Sequence, residues 1–162
     1  MDRRHFYRSA FNGHYFMFSV VLFALLTGGI IYILYRPHKP LFFDWFHFQG
    51  IINWLNFIQT IYWSGSTNFH TWIIFSLPTA LWAFAYSSVI TRIWSGNSSS
   101  IKHIWYGTIP ILVFGFEVLQ FFGLIRGTYC PIDIAMGTLG IITGTLFGNK
   151  TTKSTYHEKA NT

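Results

Sequence analysis

Four long apolar stretches constrain this chain more than any other feature of its sequence. They cover residues 15–35, 69–90, 103–125 and 131–148. An α-helix rises about 1.5 Å per residue, so each stretch approaches the length needed to cross a hydrocarbon layer about 30 Å thick. Backbone polar groups find no water in that layer and must be paired within the helix itself. The sequence therefore predicts an all-α integral membrane protein with four transmembrane helices.

The composition excludes other classes of protein. Only 10% of the 162 residues are charged, whereas 51% are hydrophobic and 21% are aromatic. Soluble domains carry about 25% charged residues, so this chain has too little polar surface to enclose a soluble core. Its net charge of +6 does not indicate a nucleic-acid partner, because the basic residues lie in short segments between the apolar stretches. The single cysteine, Cys130, excludes an intrachain disulfide and a metal site built from several cysteines. We predict no metal site and no cofactor.

The distribution of the basic residues predicts the orientation of the chain. If both termini face the cytoplasm, eight of the eleven basic residues lie on that side, as the positive-inside rule requires. We therefore predict an N-in, C-in protein. Residues 1–150 form a single helical membrane domain, and residues 151–162 form a disordered cytoplasmic tail.

The segment 41–63 is apolar enough to suggest a fifth span. However, polar residues recur along it at helical spacing, namely Gln49, Asn53, Asn56 and Thr60. We favour an amphipathic helix on the outer face of the membrane, because a fifth span would place the termini on opposite sides.

Ionisable side chains within or beside membrane spans are candidates for function, because burying them is costly. Glu117 and Gln120 lie one turn apart in the third span, Arg126 ends that stretch, and Asp133 begins the fourth. We predict that these four residues bind a ligand in a polar cleft open to the outer leaflet, with Arg126 pairing with Asp133 or contacting an anionic group. Glu117 and Asp133 are the candidates for a general base, although the sequence leaves catalysis open. The alternative is that these residues only hold helices together.

One face of the fourth span consists of small residues with Asp133 at its start. The spacing of four, three, four and four residues joins Asp133 to the predicted helix-packing glycines, Gly137, Gly140, Gly144 and Gly148. Small residues at this spacing allow close helix approach. In a direct hairpin with the third span, Gln120 would lie level with Gly137 and Glu117 with Gly140. Glu117 would then lie about 12 Å deeper than Arg126.

The last two spans resemble the C-terminal signature of VanZ-like membrane proteins. That signature has Glu-x-x-Gln, an Arg, and an acidic residue opening a helix with spaced glycines. It is matched here by Glu117, Gln120, Arg126, Asp133, Gly140 and Gly144. The family's Asn falls at Gly137, and its acidic pair is reduced to Asp133 after Ile132. The resemblance implies a multi-pass protein of the bacterial cytoplasmic (inner) membrane concerned with the cell envelope. The family's named example is linked to glycopeptide antibiotic resistance.

Three functions follow from these features. The first is binding or processing of a membrane lipid or a lipid-linked, anionic envelope precursor. The second is a non-catalytic accessory subunit of a larger membrane protein complex. A small transporter is the third, although four spans are few for alternating access.

Overall fold

The computed structural model of the chain is predominantly helical in the residues that it describes. These are residues 3–35, 71–125 and 129–160, together with Gly50, Asn53, Trp54, Phe57 and Thr60; side chains are described for 15–35, 75–125 and 129–152 and for those five residues. The helices are α1 (Arg3–Tyr35), α2 (Thr71–Trp94), α3 (Ile101–Phe121) and α4 (Pro131–Ala160). Since the described residues contain no β-strand, the all-α prediction is confirmed for them.

Three of the helices are long and apolar enough to cross a membrane. Among the described residues these segments are Tyr15–Tyr35, Ile101–Phe121 and Pro131–Thr152. Three of the four predicted spans therefore coincide with helices that are long and apolar enough to cross a membrane. The remaining one corresponds to α2, which is 24 residues long. This helix buries four small polar side chains, Ser76, Ser87, Ser88 and Thr91, which lower its apolar character.

Helix α3 ends earlier than the sequence predicts. Gly123 adopts a left-handed φ of 67°. Its N–H donates to the Gln120 carbonyl at 3.0 Å, and the next N–H, of Leu124, donates to the Leu119 carbonyl at 2.9 Å. This pair of hydrogen bonds is a Schellman motif, which satisfies the last carbonyls and stops a helix. The helix therefore closes at Phe121, about one turn before Ile125.

Helix α4 continues through residues 151–160, where the sequence predicts a disordered tail. Thr152 is buried, and its hydroxyl donates to the Gly148 carbonyl at 2.9 Å. The hydroxyl of Thr151 lies 3.9 Å from the sulfur of Met17 in α1. Tertiary contacts thus extend past Lys150, and they favour continuation of the helix beyond the apolar stretch.

The closest contact in the bundle joins α2 and α4, which run parallel. A Cβ atom added to Gly140 would collide with the Ala80 carbonyl, and one added to Gly144 would collide with the Phe84 carbonyl. One added to Gly148 would lie 2.8 Å from the Ser88 carbonyl. The backbones can approach this closely because α4 has no side chains at these positions.

The prediction that the third span faces Gly137 and Gly140 is correct for Gly137 and wrong for Gly140. Of the four predicted helix-packing glycines, only Gly137 has α3 as its nearest neighbour, through Val113. Helix α2 presents its own small residues at the matching spacing, namely Ser76, Ala80, Ala83, Ser87 and Thr91. Two small-residue faces permit a closer approach than one small face against the larger side chains of α3.

Helix α1 packs antiparallel to α2 and meets α4 near the chain termini. Gly28 lies against the indole of Trp82, while the rings of Phe16 and Phe147 are 6.3 Å apart. Buried Met17, Val21 and Ala24 form an apolar cluster with Ala85 of α2. The start of the first apolar stretch and the end of the last therefore lie at one end of the bundle.

Helix α3 lies at the edge of the bundle. It buries only Ile109 and Glu117 among its residues. Its contacts with α2 include a 2.7 Å hydrogen bond between the hydroxyls of Tyr86 and Thr108. The predicted amphipathic helix at 41–63 lies outside the described residues, apart from five isolated positions that are helical and exposed.

We predict that Gly144→Ala destabilises the bundle and that Gly115→Ala does not. The added methyl group at Gly144 would meet the α2 backbone, whereas nothing lies within 4 Å of a Cβ atom at Gly115 in α3. Overpacking a tight contact costs about 1–3 kcal/mol of unfolding free energy. Reversible unfolding in mixed detergent micelles, followed by circular dichroism, measures the difference. Equal stability of the two variants would contradict the α2–α4 contact.

Candidate functional site

A cavity of about 350 Å³ lies between α1, α2 and α3. It occupies the half of the bundle in which α1 ends, α2 begins and α3 ends. Five aromatic side chains line it, Tyr32, Phe75, Trp82, Tyr86 and Phe116. The side chains of Leu112 and Phe116 contribute to its wall and are also exposed. The cavity therefore opens on the flank of the bundle, where a membrane protein meets lipid.

Two of the predicted ligand-binding residues form a polar part of this wall. Glu117 and Gln120 both line the cavity from α3, one helical turn apart. Glu117 is only 7% exposed. Across the cavity, α2 contributes Thr79 and Tyr86. The site thus combines a carboxyl group and an amide with a mainly aromatic surface, which is the usual character of a small-molecule site.

The carboxyl group of Glu117 is anchored to the start of α4. Its Oε2 accepts a hydrogen bond of 3.1 Å from the backbone N–H of Cys130. Cys130 immediately precedes Pro131, the first residue of α4, and Pro is favoured at that position because it needs no N–H partner. The positive end of the helix dipole favours an acidic group there. α4 therefore helps to hold Glu117 in the cavity wall.

This contact corrects the predicted register of Glu117 against the fourth helix. The expected 12 Å separation from Arg126 assumes that the third helix continues beyond Ile125. Since α3 closes at Phe121 and the chain turns back, Glu117 reaches the first residues of α4. It does not lie level with Gly140.

Asp133 is not part of the cavity wall. It is 7% exposed and lies one turn before Gly137, on the face of α4 that also carries Gly140 and Gly144. Its backbone N–H donates to the Cys130 carbonyl at 3.0 Å. The Glu117 side chain and the Asp133 backbone are thus both hydrogen-bonded to Cys130. The Glu117 side chain lines the cavity, whereas the Asp133 side chain does not. Arg126 lies outside the described residues, so its predicted pairing with Asp133 stays a prediction.

The aromatic residues of α2 are part of the site that the sequence did not reveal. Trp82 and Tyr86 are most simply interpreted, from sequence, as lipid contacts or helix packing. In the structure the rings of Trp82 and Tyr32 lie 5.4 Å apart, and both line the cavity. Trp82 and Tyr86 line the cavity because α4 covers a different face of α2. The spacing of residues within α2 does not show which face α4 covers.

Comparison of the chain with family models, curated proteins and solved structures gives no match. The resemblance to VanZ-like proteins therefore rests on the sequence signature alone.

We predict that Glu117→Ala increases hydrogen exchange at the Cys130 amide by about 10- to 100-fold. A hydrogen bond to a carboxylate contributes about 1.5–3 kcal/mol, and every 1.4 kcal/mol corresponds to a factor of ten. Exchange measured by NMR in detergent micelles tests this. Gln120→Ala is the matched control, since Gln120 also lines the cavity from α3 and should leave Cys130 protected. Unchanged protection in Glu117→Ala would disprove the anchoring contact.

Proposed function

We propose that this is a four-span protein of the bacterial inner membrane that binds an amphiphilic envelope ligand in the cavity between α1, α2 and α3. In this proposal α2 crosses the membrane beside the three apolar helices, and both termini face the cytoplasm. The split of the basic residues supports this orientation. The common end at which α1 and α4 meet is consistent with it.

The mixed wall of the cavity is the observation that carries the proposal. A buried carboxyl group within an otherwise aromatic surface is expensive to maintain in a membrane, so it favours a functional role. The apolar wall suits a hydrocarbon or isoprenoid chain, and Glu117 with Gln120 suits the polar group at the end of that chain. At 350 Å³, the cavity is large enough for part of a lipid but not for a whole lipid-linked precursor.

The head group in this proposal is anionic and enters from the outer leaflet. Arg126 would contact a phosphate or similar group, while Gln120 would donate or accept a hydrogen bond from the neighbouring atoms. If a bond is broken, Glu117 is the better candidate for the general base because it lines the cavity. The similarity to VanZ-like proteins supports an envelope ligand.

The second candidate function is that of an accessory subunit. It is favoured by the aromatic end of α3, where the rings of Phe121 and Tyr129 pack 5.3 Å apart and Phe122 and Leu124 are exposed. A partner helix could cover this surface in place of lipid. The cavity would then be only a gap between helices.

Photo-crosslinking distinguishes these functions. The probe is a farnesyl phosphate that carries a diazirine on its chain, added to the purified protein in mild detergent, with the matching farnesol as a neutral probe. We expect labelling by the phosphate probe in peptides that line the cavity. Gln120→Trp should reduce this labelling at least fivefold, because its side chain would fill the polar end of the cavity.

Leu119→Trp is the control for this experiment. It introduces the same side chain at the adjacent position, which does not line the cavity. Equal labelling of the two variants would reject the cavity as the binding site. Equal labelling by both probes would reject an anionic head group. Purification with one stoichiometric protein partner, together with no specific labelling, would favour the accessory subunit.

A further inference from the structure

Three buried side-chain oxygens of α2 and α4 have no hydrogen-bond partner within the part of the chain that the structure describes. They are Ser76 Oγ and Thr91 Oγ1 in α2 and Asp133 Oδ1 in α4. Thr91 lies against Gly148, whereas Ser76 and Asp133 both lie near the starts of their helices. Ser76 is 1% exposed and Asp133 is 7% exposed. Buried polar atoms are nearly always satisfied, so each of these needs an explanation.

The register of the two helices, extended beyond their closest contacts, pairs Ser76 with Asp133. Ala83 lies against Gly140, Ser87 against Gly144 and Thr91 against Gly148, so each residue of α2 faces the residue 57 positions later. The same offset pairs Ser76 with Asp133. The helices run parallel and the offset is constant at Gly140, Gly144 and Gly148. If the same register continues for two turns toward the starts of the helices, Ser76 and Asp133 occupy one level of the interface.

Neither side chain has the local partner that its position normally provides. The hydroxyls of Ser87 and Ser88 donate to carbonyls one turn back in α2, both at 2.6 Å, whereas Ser76 Oγ has no such bond. Asp133 is the third residue of α4. An acidic side chain at this position commonly accepts a hydrogen bond from the backbone N–H of the residue just before the helix, which here is Cys130. Here Glu117 accepts that bond from Cys130.

We propose that one ordered water molecule joins Ser76 to Asp133 across the interface. The water accepts a hydrogen bond from the Ser76 hydroxyl and donates one to Asp133 Oδ1, which satisfies both atoms. A cation suits the position less well, because the positive end of the α4 dipole lies beside it.

This bridge gives Asp133 a positioning role. It fixes the first turn of α4 against α2, and the same turn presents the Cys130 N–H to Glu117. Ser76 and Asp133 thereby hold Glu117 in the cavity wall without contacting the cavity. This positioning role does not depend on which ligand the cavity binds.

The test uses the full-length protein in detergent micelles, with water-to-amide cross-relaxation measured by NMR. We expect a water signal at the amides of Ser76 and Asp133 in the wild type. Ser76→Ala and Asp133→Ala should each abolish it and raise hydrogen exchange at the Cys130 amide about tenfold. The double variant should show no larger increase, since both changes remove one bridge.

Ser88→Ala is the control for a general weakening of the interface. Ser88 is buried in α2 and donates to the Gly144 carbonyl at 3.1 Å, far from α4's first turn. It should leave the water signal and the Cys130 amide unchanged. If Asp133→Ala does not fold, Ser76→Ala alone decides the matter. Absence of the water signal in the wild type overturns the proposal. An additive effect of the Ser76 and Asp133 substitutions on hydrogen exchange at the Cys130 amide also overturns it. A thermal stability that rises with sodium but not with choline chloride also overturns it, because the ligand would then be a cation.

Discussion

The parallel contact between α2 and α4 determines the arrangement of the other helices. Small residues on both faces let the two backbones approach until a methyl group at Gly144 would not fit. One side of α2 is thereby covered by α4, and α1 packs on another through Gly28 and Trp82. Helix α3 is left at the edge, and the space between it and α1 becomes the cavity. The position of the candidate site is therefore a consequence of helix packing far from its polar residues.

Glu117 connects this framework to the chemistry of the site. A carboxyl group in a membrane protein is costly to bury unless it is hydrogen-bonded. The Cys130 N–H provides one such bond, and it can do so because Gly123 closes α3 only one turn after Glu117. Three features therefore depend on one another. Helix α3 ends early, the chain turns back after a short connection, and α4 begins beside the acidic side chain. The proposed bridge between Ser76 and Asp133 would be a fourth such feature.

The sequence predicted the helical class and the small-residue face of α4, because both depend on local periodicity. It also placed Glu117 and Gln120 on one face of one helix. It did not predict that α2 would be the partner of the glycines, although Ser76, Ala83, Ser87 and Thr91 repeat the spacing of Asp133, Gly140, Gly144 and Gly148. Comparing the two helices, rather than each alone, would have revealed this. The aromatic cavity wall could not be predicted, because it consists of residues from three helices whose neighbours are set by that pairing.

Disulfide cross-linking tests the pairing of α2 and α4 most directly. In a background with Cys130→Ser, the pair Thr91→Cys and Gly148→Cys is compared with Glu117→Cys and Gly140→Cys. The Thr91 Cβ lies 2.9 Å from a Cβ built at Gly148, within reach of a disulfide after a small shift. Mild oxidation in native membranes should therefore cross-link the first pair efficiently and the second not at all. Cross-linking of the second pair in place of the first would mean that α4 packs against α3, and the position of the cavity would have to be abandoned.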